Sequence, residues 1–423
     1  MKILQILVAV TLIFLPLYVI RCKNFSWCSS SVPFTLLEVL ILITFAAWVV
    51  WKVYLAKKGE KVSCSLYESL RRPFFWPLVV FLILATISLF ISPDIRSAAG
   101  IWKAYFIEPA LLFIVITDLA SRKKSLNWLI LPMIFSGLWV SAIAIWQVIA
   151  DVPHFSLSLT RIERVTSVYN TPNSLGLYLG PLFLLTSGFL AGTFKSRKYG
   201  LQKVVLISFL SACLISFLLT IYLSGSRGAL WGLLFSVLFF FSLAVYSKVT
   251  KKIKNLLKIT FFLGIVAFLA GCFFYFINID KIVAESSQEV RNSYISRLCM
   301  WQGTKRIVSE KAITGIGLSG FPAVYPRYAT CEPFHYQYPH NIFLNFWAEL
   351  GLFGLAAFLW ITFKYVEVIS KVPRSFLAFG LFSVIVYIFI HGLVDVPYFK
   401  NDLSVQFWVF LAMVGWFDNV YKG

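Results

Sequence analysis

Side chains able to do chemistry are scarce in this chain and gather in a few short stretches. His340 stands in "YPHNIFLNFWAELG", where a polar, aromatic run meets an apolar one, with Asn341 beside it to orient an imidazole or cap a helix. Histidine titrates close to neutral pH and, when neutral, takes a proton, which is the task of a general base. Arg227 lies in "LSGSRGALWG", a tight turn between two long apolar segments. A guanidinium is a fixed fork of donors that grips phosphate oxygens in pairs, and the small neighbours Ser224, Gly225, Ser226 and Gly228 leave room for a diphosphate. The N-terminus of the following helix adds amide donors and a positive dipole. Arg297 recurs with Met300, Trp301, Thr304 and Val308 at spacings of three and four, predicting an amphipathic helix over about 290–309 with the arginine on or beside its buried face. An arginine so placed needs an anionic partner.

Other polar residues are weaker candidates for contacting a substrate. Arg161 and Arg164 flank Glu163 and would share one face of a helix, where they could hold a second phosphate or a sugar acid; a solvated charged loop is the plainer reading. Lys103 lies one turn from Glu108 in an otherwise apolar segment, so an internal ion pair accounts for it equally well. Arg291 precedes Arg297 in the same amphipathic stretch, and "HGLVDVPYFKND" offers Asp395 and Lys400, with His391 and Asp402 at its ends; for these two a helix-end ion pair is the alternative. His335 lies five residues before His340 and is a substrate contact at most.

These residues must be positioned by membrane helices. With 59% hydrophobic and 13% charged residues and a mean hydropathy of +0.82, the 423-residue chain has too little polar surface to cover a soluble domain. A helix needs roughly 20 apolar residues to cross a hydrocarbon core of about 30 Å. Twelve segments meet this need, near 3–20, 33–51, 73–91, 101–118, 126–150, 173–193, 204–223, 228–247, 256–278, 341–363, 375–393 and 403–420. The first has no small-x-small cleavage site after it and reads as a retained helix. The expected architecture is one integral membrane domain over 1–423, all-α and polytopic, with about twelve transmembrane helices and one large extracytoplasmic loop, 279–340.

Most of the 38 lysines and arginines fall at the ends and loops on the side of the N-terminus, notably in 52–72, 122–124, 195–203 and 248–258, so both termini are expected in the cytoplasm. The net charge of +20 is then mainly a topology signal plus attraction to anionic membrane lipid, and nucleic-acid binding is not expected. Cys22 with Cys28 and Cys299 with Cys331 share outer loops, where each pair is a disulfide or two free thiols; no cysteine spacing resembles a metal site. The long loop is rich in Gly, Pro, Tyr and Phe without low-complexity runs, which predicts a folded surface whose aromatic faces suit sugar rings or an interfacial belt.

Five stretches in order, "NTPNSLGLYLGPL", "LSGSRGALWGL", "SRLCMWQGTKRIVSEKAITGIGLSGF", "HNIFLNFWAELGLFG" and "HGLVDVPYFKNDLSVQFW", resemble the signature stretches of the O-antigen ligase and O-antigen polymerase family of inner-membrane glycosyltransferases. The resemblance spans about 103–408 and implies a fold like that of type C glycosyltransferases, with part of the active site in the 279–340 loop. It implies a glycan donor linked to undecaprenyl diphosphate and a lipid- or glycan-linked acceptor, joined at the outer face of the cytoplasmic membrane in cell-surface polysaccharide biosynthesis, such as that of lipopolysaccharide. By the same resemblance Arg227 and Arg297 bind the diphosphate and His340 acts at the acceptor hydroxyl, with Gly351 eleven residues on completing the pattern. The family places a leucine four residues after its loop arginine; here Trp301 follows Arg297 and Ile295 follows Arg291, so both arginines stand as candidates, Arg297 preferred for its "SR…W" context. A metal-independent, inverting glycosyltransferase with no cofactor is the expectation, as a ligase or alternatively a polymerase of the same family. An anion (bicarbonate-like) transporter is the alternative of another class, and it requires midplane polar residues, broken helices and an inverted repeat.

Overall fold

A backbone in hydrocarbon has no water to bond, so a chain this apolar crosses a membrane only as helices or as a closed barrel. The computed structural model describes residues 1–20, 34–59, 72–150, 164–196, 200–246, 288–329, 336–373 and 375–422, and among these there is no β-strand. The order is α1 (Lys2–Ile13), α2 (Leu36–Lys57), α3 (Phe75–Ile91), α4 (Ile95–Trp102), α5 (Glu108–Ser121), α6 (Asn127–Ile149), α7 (Pro172–Lys195), α8 (Leu201–Leu223), α9 (Arg227–Tyr246), α10 (Gln288–Glu310), α11 (Phe321–Val324), α12 (Ile342–Ser370), α13 (Phe376–Gly392) and α14 (Asn401–Lys422). Eight helices among the described residues are long and apolar enough to span, α4 and α5 counting as one, and α1, α3 and α13 are shorter apolar helices. The protein is a multi-pass membrane protein. The expected span at 256–278 lies outside the described residues; every other expected span is a helix.

Two expected boundaries shift for local reasons. Pro16 ends the α-helical part of the first segment, which continues as a 3₁₀ turn over Leu15–Val19. The fourth starts at Ile95, capped by Asp94, and passes through a π-helical turn at Lys103–Ile107. Large apolar side chains on the outside of α8 and α9, among them Ile215, Leu219, Trp231, Leu238 and Phe241, are exposed, as a lipid-facing surface must be.

Helices α7, α9 and α13 carry much of the site, and small residues bring them together. Gly188 of α7 and Gly380 of α13 meet back to back, so that a Cβ on either would lie 3.0 Å from the other's Cα. Gly176 packs on Ala229 of α9, and the Tyr387 hydroxyl of α13 donates to the Gly176 carbonyl at 2.6 Å. Where lipid removes the hydrophobic drive for helices to associate, close backbone contact and interhelical hydrogen bonds replace it.

The described part of the long loop, 288–329 and 336–340, is folded. Met300, Ile307, Ile316, Phe321 and Tyr325 form a small core of their own, with the Phe321 and Tyr325 rings stacked at 4.9 Å. Helix α10 buries Met300, Thr304 and Val308 on the predicted face, and Cys299 is disulfide-bonded, its partner lying outside the described residues.

Helix α12 is interrupted at Gly351, which adopts φ 73° and ψ −178°. The segment before it fills the break: Ile316 N–H donates to Ala348 O at 2.7 Å, Leu352 N–H to Ala312 O at 2.9 Å, and Ser88 Oγ to Glu349 O at 2.7 Å. Loop and neighbour thus bond three of the groups that the helix gives up at the interruption. A Cβ on Gly351 would lie 2.0 Å from Ile313 O, so both space and a left-handed backbone demand glycine. Gly351→Ala is expected to cost on the order of 2–3 kcal/mol and lower the thermal unfolding midpoint of the detergent-purified protein. An unchanged midpoint would remove this account of the break.

Candidate active site

The eight residues between α13 and α14, 393–400, receive contacts from almost every element that carries a candidate residue. Asn341 caps α12 by accepting the amides of Phe343 and Leu344, both at 3.0 Å, and its Nδ2 donates to Leu393 O at 3.0 Å. Arg297 Nε donates to Val394 O at 3.1 Å. His340 Nδ1 lies 3.2 Å from the Asp395 Oδ1, and the Val396 amide donates to that same oxygen at 2.9 Å.

His340 does not begin the helix as the sequence suggests; it precedes the cap, in the left-handed region at φ 48°. A non-glycine residue there stores roughly 1–3 kcal/mol and persists only where its surroundings hold it. Here the Trp301 indole donates to Pro339 O at 3.0 Å, and Tyr338 sits edge-on to the imidazole with centroids 5.0 Å apart. Asp395 is buried. Burial pushes its carboxyl up, but the His340 hydrogen bond and the charges of His340, His391 and Lys400 together outweigh it and hold the group below the ordinary carboxylate range. An ionised carboxylate only accepts, so Nδ1 of His340 donates to it, and whenever the ring is neutral its lone pair is on Nε2. That is the tautomer a base needs.

The segments that carry the two arginines meet around Val394. Arg227 is the exposed first residue of α9, and Gly228 behind it packs on His391 and Val394, a Cβ there lying 2.8 Å from each. Gly225 turns the chain at φ 60° against the Arg164 side chain. Burial lowers the Arg297 pKa, Asp395 opposes this, and the like charge of Arg227 adds to the depression. Arginine stays a cation regardless, so two guanidiniums within electrostatic reach of each other favour an anion between them.

The other candidates divide. Arg164 donates from Nε to Ser224 O at 2.7 Å and from Nη2 to Asn173 Oδ1 at 3.0 Å, in a stretch that is not helical; Arg161 lies outside the described residues. Arg291 lies on α10 with its side chain outside the described residues, as is His335 altogether. Lys103 is ion-paired with Glu38 of α2 at 3.0 Å. Asp395 and Lys400 face different partners: Asp395 takes His340, and Lys400 donates to Ser174 Oγ at the start of α7. Burial lowers the Lys400 pKa against the pull of Asp402 and Asp395. His391 is buried, and because the Tyr387 hydroxyl gives its proton to Gly176 O, its oxygen accepts from His391 Nδ1 at 3.0 Å. Reasoning from the sequence missed Asn173 and Glu349. Asn173 stood only inside a quoted motif, and Glu349, buried on α12, accepts the Ser319 amide of the docking loop.

Residues 212–359 match the family model described as O-Antigen ligase. Over that stretch the chain is similar to the O-antigen ligase family. The O-antigen ligase segment contains Arg227, Arg297, His340 and Gly351, while Arg164, Asn173 and the 393–400 loop that hold them lie beyond it. No curated protein matches the chain. The match supports ligase- or polymerase-type function in polysaccharide biosynthesis and gives anion transport no support.

Because Asp395 is held below its unfolded value, its ionised form stabilises the fold above the ordinary carboxylate pKa of about 3.9, and that contribution is lost as pH falls through the folded value. The gap in thermal midpoint between the protein and Asp395→Asn is expected to be widest above about pH 4 and to narrow on acidification. A gap that widens in acid would reverse the sign assigned to Asp395.

Proposed function

We propose that the protein transfers a glycan from undecaprenyl diphosphate to an acceptor hydroxyl at the outer face of the cytoplasmic membrane, with both termini in the cytoplasm. The observation that carries this reading is that Arg297 bonds the Val394 carbonyl and Gly228, next to Arg227, packs on the Val394 side chain, beside the His340–Asp395 pair. A base next to a cationic site is what such a transfer needs.

In this mechanism Nε2 of His340 takes the proton of the acceptor hydroxyl as its oxygen forms a bond to the anomeric carbon. The bond from that carbon to the diphosphate oxygen breaks, its electron pair leaves with the lipid diphosphate, and the configuration inverts. Arg227 and Arg297 stabilise the charge that grows on the diphosphate, and Asp395 stabilises the imidazolium that forms. Since guanidiniums supply the countercharge, no metal is required. Arg164 and Lys400 act through their hydrogen bonds to Asn173 and Ser174 at the start of α7. The ligase reading is preferred to the polymerase reading because a histidine base for the acceptor is the mark of the ligases that this chain resembles.

His340→Ala is expected to lower transfer in proteoliposomes carrying a lipid-linked donor by about 10²–10⁴-fold, with the folded yield maintained. Full activity in that variant would sink the mechanism. EDTA is expected to leave the rate unchanged, and its abolition would overturn metal independence. In cells lacking the protein, long polymer left on undecaprenyl diphosphate marks a ligase and single repeat units mark a polymerase.

A further inference from the structure

Asn173 uses both ends of its side-chain amide on opposite sides of the site. Its Oδ1 accepts from Arg164 Nη2 at 3.0 Å and its Nδ2 donates to Asp395 Oδ2 at 3.3 Å. The two bonds fix which end is which, because a guanidinium only donates and a carboxylate only accepts. Beyond Arg164 the path continues through Nε to the Ser224 carbonyl, in the turn that presents Arg227. Beyond Asp395 it continues through Oδ1 to His340 Nδ1. One hydrogen-bonded path thus runs from the arginine turn to the base, and Asn173 is its middle link.

Position in the fold favours this role over a capping one. Asn173 follows Pro172 in the first turn of α7, and the helix takes no side-chain cap bond from Thr171. The next residue, Ser174, receives Lys400, so adjacent side chains at one helix start hold both charged ends of the 395–400 loop. Neither residue is within the matched O-antigen ligase segment.

We infer that Asn173 is a positioning residue that sets the Asp395 carboxylate against His340 and couples the base to the arginine turn. This rests on the reading of His340 as the base. The groups facing the His340–Asp395 pair are His391 and Tyr387 of α13, Lys400 before α14, Arg297 of α10, Tyr338 beside the ring, and Arg227 through its effect on Arg297. None of them donates to Asp395 Oδ2, which takes only the Asn173 amide among the described contacts.

Asn173→Ala and Asn173→Asp separate positioning from a structural role. Asp at 173 keeps an acceptor for Arg164 but turns a donor to Asp395 into a second carboxylate. If Asn173 positions Asp395, Asn173→Asp lowers kcat about tenfold, at least as much as Asn173→Ala does. The added negative charge favours protonated base, so the acid limb of the rate–pH profile moves to higher pH in Asn173→Asp. If Asn173 only anchors α7 through Arg164, Asn173→Asp retains near-normal kcat and an unmoved profile, and the inference falls. Thermal midpoints in detergent show whether either variant has lost its fold; should Asn173→Ala unfold, Asn173→Asp alone decides through its pH profile. His340→Ala in the same assay distinguishes the two levels. If it is fully active, the reading of the site fails; if it is inactive while Asn173→Asp matches the unaltered protein across pH, only the positioning role of Asn173 fails.

Discussion

A carboxylate buried beside membrane helices is costly unless its oxygens are filled, and the arrangement around Asp395 fills them. One oxygen takes His340 and the Val396 amide, and the other takes Asn173. These donors come from the start of α12, from the 393–400 loop and from the start of α7. Bringing those three points together is the geometric condition that the rest of the helix bundle meets. The glycine contacts of α7 with α13 and α9 set the distances, and Arg297 of α10 ties the long loop to the 393–400 segment after α13.

The arginines depend on this arrangement too. Val394 is one residue from Asp395, and it offers its carbonyl to Arg297 and its side chain to the glycine behind Arg227. A shift of the 393–400 loop would therefore move base and cations as a unit. Preorganised charges of this kind avoid the reorganisation that a solvent must undergo as charge develops.

Much of the fold was legible because twenty-residue apolar runs leave few choices, and the face of α10 was legible because a spacing of three and four identifies it. Arg227, Arg297 and His340 stood out as costly residues in apolar company. What the sequence concealed were relations across the chain. Asp395 and Lys400 are five apart and of opposite charge, which suggested a pair, yet they point to His340 and to Ser174. Asn173 did not stand out from its motif, because its two partners are 9 and 222 positions away. The break at Gly351 carries no mark in the hydropathy pattern, since apolar residues continue on both sides of it.

That break also bears on how the chain is made. The groups released at Gly351 are bonded by Ala312 and Ile316, which precede α12 in the chain. Synthesis runs from the N-terminus, so the filler of the gap has already emerged when the interrupted helix follows it. The reverse order would expose Ala348 O and Leu352 N–H to lipid while their partners were still untranslated, and unpaired backbone groups in hydrocarbon cost several kcal/mol each. The order of the segments along the chain thus spares the nascent protein an intermediate that the membrane would penalise.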